Sequence, residues 1–143
     1  MESTHNLPTW LKALTFLYFL SNLVVFGGLA LFYPQVAFPD AGAAAAFPIQ
    51  FFAIRHIAFA FPLAYGLLRE DINVLWATFG MFLIMSSLDV LLLFLNGYYI
   101  PVIGEVSLLV KIAFAIGGFI GPVSLAFWKL TQLKRQPTSL QHA

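Results

Sequence analysis

This chain has no cysteine and few charged residues, and these two absences exclude several classes of function. Of its 143 residues, 9% are charged and none is a cysteine. Without cysteine there is no disulfide framework, no thiolate nucleophile and no cysteine-ligated metal site. The seven basic residues are scattered along the chain and form no basic patch in the sequence, so we expect no nucleic-acid partner.

Sequence motifs that bind metals or phosphates are missing as well. The chain has no HExxH motif, no histidine cluster and no glycine-rich phosphate loop. Ligation of a haem or a quinone would depend on His56 alone, which is too little to predict such a site. We therefore expect no metal and no cofactor.

Long apolar runs dominate what remains. The chain is 61% hydrophobic and its mean hydropathy is +0.90, which is typical of integral membrane proteins. A helical span needs about 20 residues, so the chain accommodates about four. The sequence predicts one all-α domain over residues 1–143, a four-helix transmembrane bundle with spans at about 10–33, 49–68, 72–95 and 106–130.

Two local features refine this prediction. The apolar run over residues 14–32 is too long for a signal peptide and no small-x-small cleavage site follows it, so we interpret it as a retained first span. Segment 34–48 contains three prolines and Asp40, which predicts a surface loop or a short re-entrant or interfacial piece. Pro62 lies inside the second span and is expected to kink it.

The basic residues predict the orientation of the spans. If the helices alternate, one side holds five basic residues, while the two loops on the other side, 34–48 and 98–105, hold none. The positive-inside rule then places both termini in the cytoplasm. The expected location is a multi-pass membrane protein, in the endoplasmic reticulum membrane if the source is eukaryotic. The five residues are Lys12, Arg69, Lys129, Lys134 and Arg135.

Four ionisable residues lie in or beside the predicted spans. Counting along each helix places Arg55, Asp89 and Lys111 roughly 9 to 12 Å below the non-cytoplasmic surface, each on a different helix. Glu105 lies at the rim of this layer, so two cations face two carboxylates. Because unpaired charge in hydrocarbon is costly, the balance of signs predicts one shared polar site.

Such a set of groups suits acid–base catalysis. Asp89 between two cations is expected to stay ionised and to activate a water, whereas Glu105 facing an apolar cavity would be the acid. We assign catalytic roles to Asp89, Arg55, Glu105 and His56. We assign substrate contacts to Lys111, Asn22, Tyr18 and Tyr98, because Tyr18 and Asn22 share a helix face at a spacing of four. The sixteen phenylalanines point to an apolar small-molecule substrate.

Each of these residues also has an ordinary structural explanation. Arg55 and Asp89 would serve as a packing ion pair, Lys111 would extend to the membrane surface, and Glu105 would stabilise a helix N-terminus. His56 points about 100° away from Arg55 around its helix, and a structural role is favoured over that of a base. Tyr98 suits an interface anchor.

The arrangement Ala53-Ile54-Arg55-His56, then Gly66, then Ser86-Ser87-Leu88-Asp89, then Gly97 resembles that of a group of small four-span membrane proteins. Some of these are encoded in fungal polyketide clusters. Within the group, the chain is most similar to the membrane-bound epoxide hydrolases of aurovertin- and citreoviridin-type pathways. The resemblance covers the second to fourth helices. It implies an enzyme of polyketide secondary metabolism that opens epoxides on a polyene α-pyrone, with Arg55, His56 and Asp89 at its centre.

Three hypotheses follow from the sequence. The first is an integral membrane hydrolase or cyclase that acts on an epoxide. The second is a small oligomeric transporter, which the sequence disfavours because the cytoplasmic half of the second span holds no ionisable residue. The third is a structural membrane subunit with a packing ion pair. A homo-oligomer is compatible with each of them, and the lipid bilayer is the expected partner of all three.

Overall fold

The computed structural model of the protein describes residues 7–37, 46–95 and 120–135. Over these residues the chain is helical apart from short turns, and the described part contains no strand. This agrees with the all-α prediction. The predictions for residues 1–6, 38–45, 96–119 and 136–143 lie outside the described residues.

The first long helix runs without a break from Thr9 to Phe32, close to the predicted 10–33. Its middle differs from an ordinary α-helix. Helix α1 (Thr9–Leu20) continues into a π-helical segment (Ser21–Leu29) and ends in the short helix α2 (Ala30–Phe32). After Tyr33 the chain forms one more turn, α3 (Pro34–Ala37), inside the segment predicted as a loop or interfacial piece.

Three further helices complete the described fold. Helix α4 (Ala46–Leu68) begins three residues before the predicted second span and runs through Pro62. Helix α5 (Ile72–Leu95) has the predicted bounds. Helix α6 (Gly121–Arg135) continues five residues past the predicted end at residue 130. The prediction of that end was wrong because tertiary packing holds the polar last turn, in which Leu133 is buried in the core.

The helices pack in chain order. Helix α4 lies against α1 and the π-helical segment, α5 lies against α4 and α6, and α1 reaches α6 to close the group. Their shared core is made of large apolar side chains, among them Leu11, Leu63, Leu75, Phe79 and Leu130. Gly66 allows the close approach of α4 and α5, since a Cβ atom there would lie 2.7 Å from Leu75 Cγ.

The turn between α4 and α5 is defined by backbone and carboxylate hydrogen bonds. Asp71 N–H donates to the carbonyl of Gly66, and Glu70 N–H donates to that of Leu67, which is the Schellman pattern of a helix C-terminus. Glu70 occupies the left-handed position with φ of 50°, where glycine is usual. Asp71 then caps α5 by accepting hydrogen bonds from the N–H groups of Asn73 and Val74.

Two helices in the described part of the chain are long and apolar enough to cross a membrane, Thr9–Phe32 and Ile49–Leu68. In α5, the part whose side chains the structure describes is also apolar but shorter, Ile72–Leu88. Large apolar side chains also point outward from these helices, including Phe51 at 69% exposure and Phe61 at 71%. A surface of this kind is expected to be covered by lipid or by another protein.

Candidate functional site

A hydrogen bond between buried Asn22 and partly buried His56 joins the first long helix to α4. Asn22, which is 3% exposed, places its Oδ1 atom 2.7 Å from Nδ1 of His56. This bond places Asn22 level with His56, the residue next to Arg55. Asn22 and His56 therefore form the polar centre of the described fold.

The contacts of Asn22 determine which nitrogen of His56 carries the proton. Asn22 Nδ2 donates a hydrogen bond to the carbonyl oxygen of Tyr18, 2.8 Å away, so its Oδ1 atom faces the imidazole. An amide oxygen accepts hydrogen bonds and cannot donate them, so Nδ1 of His56 must be the donor. In the neutral ring, Nε2 then carries the lone pair. This Nε2 atom is buried and has no hydrogen-bond partner among the described residues.

The π-helical segment gives Asn22 its position. Segments of this kind are rare and occur frequently at functional sites. Here Gly27 permits the wider turn and the close approach of α4, since a Cβ atom at this position would lie 2.5 Å from the carbonyl oxygen of Asn22 and 2.5 Å from Ile57 Cγ1. The segment, Gly27 and the Asn22–His56 bond are therefore parts of one local structure.

Aromatic rings surround the imidazole. The centroid of Phe52 lies 4.2 Å from that of His56, and the centroid of Phe26 lies 5.2 Å from it. The guanidinium carbon of Arg55 lies 5.1 Å from the Phe52 centroid, within reach of a cation–π contact. The imidazole of His56 is therefore flanked by two aromatic rings, and a guanidinium group lies beside one of them.

Sequence reasoning missed the two phenylalanines, although a signal was present. Phe52 precedes His56 by four residues, and Phe26 follows Asn22 by four. Residues four apart share a face of a helix, so this spacing could have identified both aromatics as neighbours of the polar pair. The π-helical segment had no comparable signal beyond the Gly27-Gly28 pair.

The structure brings together three of the eight residues predicted for the site, namely Asn22, His56 and Arg55. Tyr18 contributes its backbone carbonyl to Asn22, while its ring packs against Phe79 and Phe82 at 5.8 and 5.9 Å. Asp89 lies on α5, and the placement of its side chain is outside the described structure. Glu105, Lys111 and Tyr98 lie outside the described residues.

Hydroxyl groups in the described helices form hydrogen bonds within their own helix, whereas His56 bonds to a residue of another helix. Four of them donate to the carbonyl oxygen four residues earlier in their own helix, which is the common behaviour of such residues. These hydroxyls are those of Thr15, Thr78, Ser87 and Thr131. Among the described residues no group of three or more histidine and carboxylate side chains is placed to hold a metal ion.

Comparison of this chain with protein-family models, with curated protein sequences and with solved structures gives no match. These comparisons therefore assign no role to the site.

Proposed function

We propose that the protein is a multi-span integral membrane enzyme that opens an epoxide on an apolar substrate. In this proposal the chain has four spans and both termini lie in the cytoplasm. The two membrane-length helices and the outward-facing apolar side chains support the membrane part. The resemblance to membrane-bound epoxide hydrolases supports the reaction class.

The observation that carries the proposal is the buried Nε2 atom of His56. Leaving a buried polar atom without a hydrogen bond costs about 1–3 kcal/mol, so such an atom calls for an explanation. The bond from Nδ1 to Asn22 keeps the lone pair on Nε2, which is the form that a general base needs. A structural role accounts for the bond at Nδ1 but not for the buried, unpaired Nε2 atom.

The chemistry assigned to the site is a balanced addition of water. His56 Nε2 takes a proton from a water as the water oxygen forms a bond to one epoxide carbon. The bond between that carbon and the ring oxygen breaks, and a carboxylic acid donates a proton to the oxygen, which gives a diol. We assign the acid to Glu105, as proposed from the sequence. Ionised Asp89 accepts a hydrogen bond from the attacking water and orients it, while His56 replaces Asp89 as the group that removes the proton. If a hydroxyl of the substrate replaces the water, the same proton transfers give a cyclic ether.

The class of substrate follows from the walls of the site. Phe26 and Phe52 present apolar faces to the imidazole, so a conjugated or aliphatic chain fits better than a charged metabolite. The Arg55 guanidinium beside Phe52 suits a polar head such as a pyrone carbonyl. The polyene-pyrone itself is what the resemblance implies, and we assign its epoxide as the substrate, with Lys111 and Tyr98 as further contacts.

The test is a turnover assay with the purified full chain in detergent micelles. The probe is a synthetic polyene-α-pyrone epoxide, and the solvent is water enriched in ¹⁸O. Mass spectrometry is expected to show loss of the epoxide. Incorporation of ¹⁸O indicates hydrolysis, and an unlabelled isomer indicates cyclisation. Absence of any turnover by the wild-type chain would rule out the proposal.

Matched variants connect the activity to His56. His56→Gln keeps a side-chain amide that can donate to Asn22 but removes the base, so we expect a folded protein with turnover at least about a hundredfold slower. His56→Ala leaves space beside Phe52, and added imidazole is expected to restore part of its activity. Full activity in His56→Gln would show that His56 is not the base.

One observation favours a structural role instead. The Asn22–His56 bond ties two long helices together, as polar pairs do in membrane bundles. A structural subunit would show no turnover, and a paired replacement of Asn22 and His56 by leucine would leave its stability nearly unchanged. The two measurements together distinguish a structural subunit from an enzyme.

A further inference from the structure

All three tryptophans of the chain lie at one end of the helix group, together with most of its cations. The Lys12–Glu70 contact of 2.7 Å places the start of α1 beside the turn between α4 and α5. The hydrogen bond of 2.9 Å from Trp76 Nε1 to Thr131 places the last turns of α6 beside the first turns of α5. Trp10 lies in the first turn of α1, and Trp128 lies about one turn before Thr131 on α6; they are 42% and 57% exposed.

The carboxylates at this end already have partners. Glu70 accepts hydrogen bonds from Lys12 Nζ and from the N–H of Leu7. Asp71 caps α5 through the N–H groups of Asn73 and Val74. Glu70 is therefore paired with Lys12, and neither carboxylate forms a salt bridge with the other described cations at this end.

Four cations are left at this end without a salt bridge to any residue that the structure describes. Arg69, Lys134 and Arg135 are exposed, and Lys129 is partly buried. The ammonium of Lys134 lies 4.2 Å from the ring centroid of Trp76, so one of these charges rests on an interfacial aromatic ring. At the opposite end, the last two turns of the first long helix and of α5 and the first two turns of α4 hold no lysine or arginine.

Helix dipoles account for part of this placement. Arg69 follows the end of α4, and Lys134 and Arg135 occupy the last turn of α6, where cations are favoured. The partial charge of a helix end offsets only part of a full positive charge, and these three side chains are exposed. An exposed group of cations interleaved with tryptophan is the pattern that contacts anionic headgroups at a membrane surface.

We propose that this end of the protein, formed by Arg69, Lys129, Lys134, Arg135 and the three tryptophans, binds the headgroups of anionic phospholipids. The inference goes beyond the proposed reaction and shares with it only the premise that the chain lies in a membrane. The phosphates compensate the four cations, and the tryptophan rings lie at the level of the headgroups.

Tryptophan fluorescence tests this inference directly, because every tryptophan of the chain lies at this end. The full chain is reconstituted into vesicles of phosphatidylcholine and phosphatidylglycerol in which one lipid at a time carries brominated acyl chains. Bromine quenches nearby tryptophan, so brominated phosphatidylglycerol is expected to quench more than brominated phosphatidylcholine at equal content. The lipids are the same in both leaflets, so the orientation of the protein does not affect the result.

A variant that removes three charges tests the role of charge, and a variant that retains them is its control. The triple change Arg69→Gln, Lys129→Gln and Arg135→Gln is expected to lower the preference for the anionic lipid by about fivefold for each charge removed. Arg69→Lys, Lys129→Arg and Arg135→Lys are expected to keep it. Lys134 stays in both variants, because its contact with Trp76 affects the fluorescence itself.

The possible outcomes separate this inference from the proposed function. Equal quenching by both brominated lipids, or an unchanged preference in the charge-removing variant, would overturn the lipid site and leave the enzyme proposal intact. Quenching by neither lipid would overturn both, since the protein would then not lie in the membrane. Strong quenching by the anionic lipid that weakens as salt is added is the supporting result.

Discussion

The turn between α4 and α5 and the centre around His56 differ in whether their polar groups have hydrogen-bond partners among the described residues. At the turn, the carboxylates of Glu70 and Asp71 each accept two hydrogen bonds, and the Trp76 indole donates to Thr131. Around His56, one ring nitrogen is bonded to Asn22 and the other is buried without a partner among the described residues. The polar groups of the turn are thus hydrogen-bonded, whereas the centre leaves one acceptor unpaired among the described residues, and the role proposed for His56 depends on that acceptor.

The largest expected effect concerns the carboxylate that the proposed reaction requires. Asp89→Asn keeps the size and polarity of the side chain but removes its ability to carry charge, so turnover of the polyene-pyrone epoxide should fall by at least about a hundredfold. The unfolding temperature in detergent and the far-ultraviolet circular dichroism should remain close to those of the wild-type chain. Wild-type turnover in a folded Asp89→Asn protein would remove Asp89 from the mechanism.

The next effect tests whether the π-helical segment holds the centre in place. Gly27→Ala introduces a methyl group 2.5 Å from the carbonyl oxygen of Asn22 and from Ile57 Cγ1, and we expect it to destabilise the protein by about 1–3 kcal/mol. Gly28→Ala is the matched control. Its added Cβ lies 3.2 Å from the Leu23 carbonyl oxygen, and the gain in helix propensity offsets this mild crowding. Thermal unfolding of the two variants should differ clearly, and equal stability would contradict the role assigned to Gly27.

A smaller effect measures the Asn22–His56 bond itself. A double-mutant cycle with Asn22→Leu, His56→Leu and the double variant should give a coupling energy of about 1 kcal/mol, as is common for hydrogen bonds between helices in membranes. Nitrogen NMR of labelled histidine should show the Nδ1-protonated form in the wild-type chain and a mixture of tautomers in Asn22→Leu. The same tautomer in both proteins would show that Asn22 does not set the protonation site.

The smallest effect belongs to the turn and appears as a pH dependence. The hydrogen bond from Lys12, followed by that from the Leu7 N–H, holds the pKa of Glu70 below its ordinary value. A carboxyl group with a lowered pKa in the folded state stabilises the protein above its ordinary pKa of about 4.3, and this contribution disappears as the pH falls through the folded-state pKa. The unfolding temperature should therefore decrease on acidification below about pH 4.

Two variants at the same position isolate this contribution. Glu70→Gln should be less stable than the wild-type chain near neutral pH and should lose less stability on acidification. Glu70→Gly should be more stable than Glu70→Ala, since glycine accepts the φ of 50° that alanine resists. If Glu70→Gln and the wild-type chain have the same pH profile, the Lys12–Glu70 pair does not contribute to stability.

Much of the helical layout was predictable, because its signals are local. The apolar run that ends before Tyr33, the charged Arg69-Glu70-Asp71 turn and the start of α5 at Ile72 follow from composition, turn residues and caps. The end of α6 was predicted too early, since Leu133 and Lys134 are held by contacts with the core and with Trp76 rather than by propensity. Four spans and cytoplasmic termini remain predictions.

The candidate site was predictable only in part. The sequence assigned Asn22 to the site, and the structure shows its side chain buried. The direct partner of His56 was not expected, because pairing across helices depends on their rotation and axial shift, which sequence spacing does not specify. The carboxylate layer of Asp89 and Glu105 remains a prediction from helix counting.

The sequence by itself determined that the chain forms long apolar helices with few charges and a basic bias toward one end, since hydropathy and charge are properties of each segment. Only the tertiary structure decided that Asn22 meets His56, that the lone pair lies on Nε2, and that three tryptophans join the cations at one end. These results depend on which helix faces come into contact. The π-helical segment and the close approach at Gly27 set that contact.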